Sequence, residues 1–285
     1  MIPSVALAAL AASVSMHVSW NLAARRADPR SFFLWWALLG YLAAIGPWSL
    51  VALARGVAWS PRLAVLLAVT AAAETLYIVA LATAYRRAPV PLVYPIVRSS
   101  PLLVAVWSTF LLHQPLAPAG WIGIGVSVAG VLALALTARG GEPGRAVPWA
   151  LAAALGTSVY STSNKLAVDA LPDYTALLGW VTIALAVAWL GLSLQHRRET
   201  GRWVPAVRPP IVHWLAAGLL LGNAYGLVIH AMRYIPAAYA VAFTNAGIVL
   251  AGLIAMILFG EREHWRARLA AMAAICAGLA LLAAG

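Results

Sequence analysis

Among the eight acidic residues of this 285-residue chain, Glu74 stands apart, because it falls near the middle of an apolar stretch, AVTAAAETLYIVA. A carboxylate at the centre of a bilayer costs about 2.5 to 3.5 kcal/mol even on the lower insertion scales, so it must face protein or water. It can couple protons or meet a cationic solute group, or it can serve as the structural partner of an arginine. Arg98 is the only basic residue well inside an apolar stretch, in YPIVRSSP. Pro91, Pro95 and Pro101 each remove a backbone donor, and the carbonyls they free need water or neighbouring groups. A bent or broken helix lining a cavity is therefore expected there. An arginine in such a cavity can hold a carboxylate, phosphate or phosphonate through a bidentate fork. An Arg98 to Glu74 ion pair fixing helix register is the plainer reading. The two coexist if a solute anion competes with Glu74 for the arginine.

Further polar residues complete a candidate ring: His17 and Asn21, Tyr94 beside Arg98, Tyr160 and Asn164, Asn223 and Tyr225 with His230, and Asn245. His17 and Asn21 are four apart, as are Tyr160 and Asn164, so each pair shares a helix face. Singly, each is explained by an interhelical hydrogen bond worth about 0.6 kcal/mol. As a set they indicate a wet central cavity.

The elements that must carry these residues follow from composition. At 64% hydrophobic and 9% charged, the chain has lipid for a solvent. Its formal charge of +11 falls in the gaps between apolar stretches and reads as a topology signal, with no nucleic-acid partner implied. Candidate spans lie near 2–24, 33–54, 62–85, 89–112, 118–138, 146–168, 174–195, 210–232, 236–259 and 265–284. Loops this short leave no room for a soluble domain. Fourteen Lys and Arg fall on the side of the loops after spans 1, 3, 5, 7 and 9, against four on the other, which by the positive-inside rule puts both termini outside. Trp35, Trp36, Trp48, Trp59, Trp149, Trp203, Trp214 and Trp265 lie near span ends and read as an interfacial belt; Trp20 and Trp107 lie deeper. Gly123, Ser127 and Gly130, then Ala270, Ala274 and Gly278, are small-residue stripes suited to close helix packing, with a homodimer seam as one use. The single cysteine, Cys276, excludes an intrachain disulfide. No metal or cofactor site and no nucleotide-binding loop is recognisable.

Slid against itself, the chain repeats. Ser15, His17 and Asn21 fall opposite Ser158, Tyr160 and Asn164; Ala84, Arg86 and Pro89 fall opposite Ala231, Arg233 and Pro236. The latter register carries Arg98 onto Asn245 and Gln114 onto Glu261. An odd number of spans per copy inverts the second copy in the membrane. The expected fold is thus an all-α integral membrane protein of ten transmembrane helices in two inverted five-helix repeats, residues 1–141 and 142–285.

The paired segments ALATAYRRAPVPLVYPIVRSSPLLVAVWSTFLLHQPL and AMRYIPAAYAVAFTNAGIVLAGLIAMILFGERE resemble those of the drug/metabolite transporter superfamily, EamA type. The resemblance spans the whole chain and implies an exporter or exchanger of small polar or amphipathic metabolites. HVSWN is similar to a bacterial subgroup, which implies the bacterial inner membrane. The acidic residue common after the fourth helix is Gln114 here, and the first-helix glutamate of the related small multidrug resistance proteins has no counterpart. His17, which titrates near neutrality when unperturbed, is the nearest substitute. The resemblance implies cytoplasmic termini, opposite to the charge count. The function expected is a secondary transporter of small polar, anionic or zwitterionic solutes working by alternating access, with the bilayer as its other partner. A lipid scramblase or non-transporting membrane protein is the alternative. An intramembrane enzyme would need clustered carboxylates or a metal set, and Glu74 alone is deep enough.

Overall fold

In the computed structural model, described for residues 2–136, 142–258, 260 and 264–284, the chain is helical with no strand among the described residues. The helices are α1 Ser4–Arg26, α2 Phe33–Ala44, α3 Gly46–Gly56, α4 Pro61–Tyr85, α5 Val90–Val97, α6 Ser100–Val106, α7 Pro118–Ala135, α8 Pro143–Ala167, α9 Tyr174–Thr200, α10 Ile211–Ala231, α11 Ala237–Phe243, α12 Ala246–Leu258 and α13 Trp265–Ala284. Glu261 and residue 141 at the expected repeat boundary lie outside the described residues.

Local chemistry sets the helix ends. Ser60 Oγ accepts the Leu63 amide at 3.2 Å ahead of Pro61, whose fixed φ suits the first turn. Asp173 Oδ1 accepts the Ala176 amide at 2.8 Å, and Gly201 ends α9 with φ 74°. Pro47, in the first turn of α3, removes a donor where α2 and α3 meet at 56°.

Eight helical stretches are long and apolar enough to cross a membrane among the described residues, with α5–α6 and α11–α12 each taken as one, or nine if the bent α2–α3 pair is one span. Helix α8 falls outside that set because its C-terminal half is polar. Thr157, Ser158, Ser161, Thr162, Ser163 and Asn164 are all buried, so this helix turns its polar side to the protein. Hydropathy alone scores it as too wet to span, although it is 25 residues long.

The packing has an exchange symmetry. Helix α1 packs on α10 as α8 packs on α4; α2 packs on α10 as α9 packs on α4; and the pairs α7–α13 and α3–α9 map onto themselves. Ends that meet define two faces of the bundle. Arg86, after α4, pairs with Glu199 of α9 at 2.8 Å, and the Glu142 amide before α8 reaches Arg87 O at 2.9 Å. At the other end Arg233, after α10, donates to Leu171 O at 2.7 Å, and Lys165 of α8 reaches Met232 O. Since α8 starts beside the end of α4 and finishes beside the end of α10, α4 and α10 run in opposite directions.

Glycines let the helices touch. A Cβ on Gly218 would lie 2.2 Å from Ala37 O and 2.5 Å from Tyr41 N, so α10 and α2 meet backbone to backbone. The stripes on α7 and α13 are used within the chain: a Cβ on Gly278 would lie 2.5 Å from Gly123 O, and one on Gly130 would lie 2.7 Å from Ala271 O. On α13 the packed stripe runs through Ala271, Ile275 and Gly278, one position away from that expected, and Ala270 is exposed. The tryptophan belt also needs correction. Trp48, Trp59, Trp149, Trp203 and Trp265 are exposed, whereas Trp35, Trp36 and Trp214 are buried; Trp35 Nε1 donates to Ser193 Oγ at 2.7 Å. Those three lie near helix ends in sequence, but α9 and α10 close over them.

Replacing Gly218 with Val should destabilise the protein by about 3 kcal/mol through overpacking, read as a lower melting temperature and yield in detergent. Gly125→Ala meets open space. It should leave melting unchanged or raise it, by about 0.5 to 1 kcal/mol from helix propensity.

Candidate functional site

The segment carrying Arg98 is broken as its prolines predict. Helix α5 contains Pro95 and ends at Val97; α6 restarts at Ser100 with Pro101 in its first turn. Arg98 and Ser99 form the break. The second half breaks correspondingly at Thr244 and Asn245, between α11 and α12. The two breaks meet: Arg98 Nη1 donates to Thr244 Oγ1 at 2.6 Å, and Asn245 Nδ2 lies 3.4 Å from Arg98 O. Arg98 Nη2 donates to His17 Nε2 at 2.7 Å and to Tyr94 OH, and the guanidinium lies 4.9 Å from the Tyr94 ring centroid. Among the described residues, the hydrogen-bond partners of this cation are neutral side chains.

The contact fixes the state of His17. A guanidinium only donates, so Nε2 accepts and the imidazole proton sits on Nδ1. Trp20 Nε1, a donor, approaches Nδ1 at 3.3 Å, and the rings meet edge to face at 5.5 Å; with Nδ1 protonated this contact is ring packing. Protonating both nitrogens would set two cations 2.7 Å apart. In this conformation His17 is the arginine's acceptor.

Glu74 sits in mid-α4, 3% exposed, and its Oε2 has no hydrogen-bond partner. Tyr225 is set against it. The Tyr225 oxygen accepts from Asn164 Nδ2 at 2.7 Å, which leaves its O–H free to point at the carboxylate. Asn164 Oδ1 is held in turn by Trp180 Nε1 at 2.9 Å. Three tyrosines stack edge to face beside Glu74: Tyr77 to Tyr160 at 5.8 Å and Tyr160 to Tyr225 at 5.4 Å between centroids. Glu74 and Arg98 make no ion pair; they line one internal cavity of about 120 Å³, room for several waters or a small solute.

Of the residues expected at the site, Arg98, Glu74, His17, Tyr160 and Tyr225 line this cavity. Tyr94 and Asn164 stand behind them as hydrogen-bond partners, and Asn245 is buried behind Arg98. Asn21 and Asn223 are not in it: each amide bonds a carbonyl one turn back on its own helix, His17 O at 2.7 Å and Leu219 O at 2.9 Å. Trp107 donates to Ser158 Oγ at 3.0 Å away from the cavity, while Trp20 lines it. Tyr77, Ser161 and Thr244 were missed. Tyr77 follows Glu74 by three positions on one helix face and was readable from that spacing. Thr244 was one place from the residue aligned with Arg98.

The cavity draws on matching positions of both halves. His17 and its counterpart Tyr160 both line it, as do Glu74 and Leu221, Tyr77 and Ala224, Ile78 and Tyr225, Leu81 and Val228, and Val97 and Thr244. It therefore lies on the axis that exchanges the halves, and its chemistry is asymmetric.

Comparison with known proteins agrees with this duplicated form. No curated protein sequence matches the chain. Twenty chains of solved structures do; one, described only as "Crystal structure of protein", is 23% identical, with 98% of this chain and 96% of that one covered at a TM-score of 0.75. That likeness establishes the fold alone. The profile described as "EamA-like transporter family" matches twice, over residues 2–136 and 144–284. By this double match across almost its whole length, the chain is a multi-pass membrane protein that belongs to the EamA-like transporter family.

Proposed function

We propose that this protein is a secondary transporter of small anionic or zwitterionic metabolites, an exporter or exchanger working by alternating access from one central site. It is read as ten transmembrane helices in two inverted five-helix repeats, residues 1–141 and 142–285, with α2–α3, α5–α6 and α11–α12 each counted as one span and α8 as another. Arg98 carries the reading: a permanent cation with neutral partners, held where the two broken helices cross and facing an internal cavity. Broken helices at a repeat interface are the usual setting of a transporter's midplane site. Arg98, Glu74, His17, Tyr160 and Tyr225 form the wall that meets solute, supported by Tyr94, Asn164 and Asn245. Rocking one half against the other would part the Arg98–Thr244 contact on each cycle.

The bundle end bearing Arg86 and Arg198 collects most of the chain's basic residues, and by the positive-inside rule it faces the cytoplasm of a bacterial inner membrane. A homodimer, if formed, would use lipid-facing surfaces other than the packed α7–α13 seam.

Two measurements check this reading. In proteoliposomes loaded with a metabolite panel, Arg98→Ala should cut counterflow of every transported solute at least about tenfold, the loss of one charge-assisted contact, at unchanged protein yield. Unchanged counterflow would remove Arg98 from the site. For orientation, a single cysteine at Arg202 in a Cys276→Ser background should react with an impermeant maleimide in inside-out vesicles and resist it in intact spheroplasts. The reverse pattern would place both termini in the cytoplasm.

A further inference from the structure

A basic groove lies on the flank of the bundle, well away from the central cavity. At the end bearing Arg86 and Arg198, helices α4, α8 and α9 enclose about 470 Å³. The rim carries Arg86, Arg87 and Arg198 against one carboxylate, Glu199, which Arg86 already engages at 2.8 Å. Arg87 donates to Thr83 O at 3.1 Å and lies 5.5 Å from the centre of the Trp149 ring. Arg198 is exposed and has no hydrogen-bond or ion-pair partner among the described residues. Two guanidinium groups on this rim are therefore without a counter-charge. The floor is held in place: Thr83 Oγ1 donates to Val79 O at 2.7 Å and accepts from Gln195 Nε2 at 2.7 Å and Arg86 Nη2 at 3.2 Å. Below the rim the wall turns apolar, through Val79, Gly191 and Leu194. Val79 precedes Arg86 by seven positions and Gly191 precedes Arg198 by seven, so the groove descends two helical turns, about 10 Å, toward the bilayer centre. It opens sideways, because Leu194 and Trp149 are both exposed on the flank.

From this we infer that the groove is a binding site for an anionic phospholipid, its phosphodiester against Arg87 and Arg198 and one acyl chain along Val79, Gly191 and Leu194. Basic pockets between transmembrane helices at headgroup depth suit such lipids, and an interfacial tryptophan marks that depth. A soluble anion would meet the rim and have no use for the apolar wall beneath it. A lipid with a quaternary ammonium headgroup would bring a further cation to guanidinium groups that already lack a counter-charge. An anionic lipid answers both parts of the groove at once. Seated there, it would tie α9 to the α4–α8 pair at the end of the bundle where Arg86 and Glu199 already join α4 to α9. The site is on the outer surface, so it stands or falls independently of which solute the central cavity takes.

The test is native mass spectrometry of the full-length protein, released from micelles containing equimolar dioleoyl phosphatidylglycerol and dioleoyl phosphatidylcholine. The wild type should retain phosphatidylglycerol over phosphatidylcholine by at least about fivefold, less than the full effect of two arginines at the membrane surface. Arg87→Gln with Arg198→Gln should bring that ratio close to one. Arg202→Gln with Arg208→Gln removes the same charge at the same end of the bundle, outside the groove, and should leave the ratio unchanged. Arg198→Gln alone alters an exposed side chain without a partner, so it should fold as the wild type does and still lower the ratio at least about twofold. The ratio is read on folded protein only, so a loss of yield cannot imitate the result. No preference in the wild type, a preference that survives the groove variant, or one lost equally in both double variants would overturn the assignment. So would glycerol 3-phosphate displacing the lipid at the concentration at which short-chain phosphatidylglycerol does, since the rim would then be a site for soluble anions.

Discussion

Everything at the centre of this protein is arranged around a guanidinium that cannot lose its charge. In water such a group costs nothing to hold; between apolar helices it must be solvated by whatever the fold provides. The fold provides a phenol from its own helix, an imidazole from α1 and a hydroxyl from the opposite half. Each comes from a different element, so the charge ties together α1, α5 and the α11–α12 break. Those same breaks free backbone carbonyls, and Asn245 turns its amide to the one at Arg98. Neutral dipoles can solvate a cation, but they leave its field open to an anion. A structural salt bridge would have closed it.

The second feature is the mismatch between a symmetric scaffold and an asymmetric lining. The two halves present corresponding positions to the cavity, yet Glu74 corresponds to Leu221 and Tyr77 to Ala224. Packing needs only volume and shape at these places, which aliphatic residues of either half supply. Charge and phenol groups are costly there and gain nothing for packing. The carboxylate and the guanidinium come from the first half alone, whereas tyrosines come from both, Tyr77 from the first and Tyr160 and Tyr225 from the second.

Much of this was legible in the residues. Apolar stretches gave eight or nine of the spans, prolines 91, 95 and 101 gave the break at Arg98, and self-alignment set opposite Arg98 the residue Asn245, which lies in a second break that the sequence did not announce. What escaped depended on rotation of helices about their axes. Asn21 shares a face with His17 in sequence spacing, but its amide closes on the carbonyl one turn back, and the same is true of Asn223. Trp35, Trp36 and Trp214 sit near helix ends, where lipid contact is the rule, and are instead covered by neighbouring helices. The stretch 146–168 reads as a span from its apolar run in spite of its hydroxyls. The burial of those hydroxyls explains how a polar sequence can lie among lipid-crossing helices. The Arg98 to Glu74 pair was the plainer reading of two lone charges, and instead Arg98 is held by Thr244, His17 and Tyr94.

The contacts between helices divide into two kinds. Those of α1 with α10 and of α8 with α4 are images of one another, so a movement that loosens one and tightens the other yields a bundle of the same shape turned over. The glycine-tight seam of α7 with α13, and the contact of α3 with α9, are each their own image and have nothing to trade places with. Under the proposed alternating access they would be the pins about which the halves turn, and at Gly123 and Gly278 the backbones meet so closely that a single methyl group would not fit.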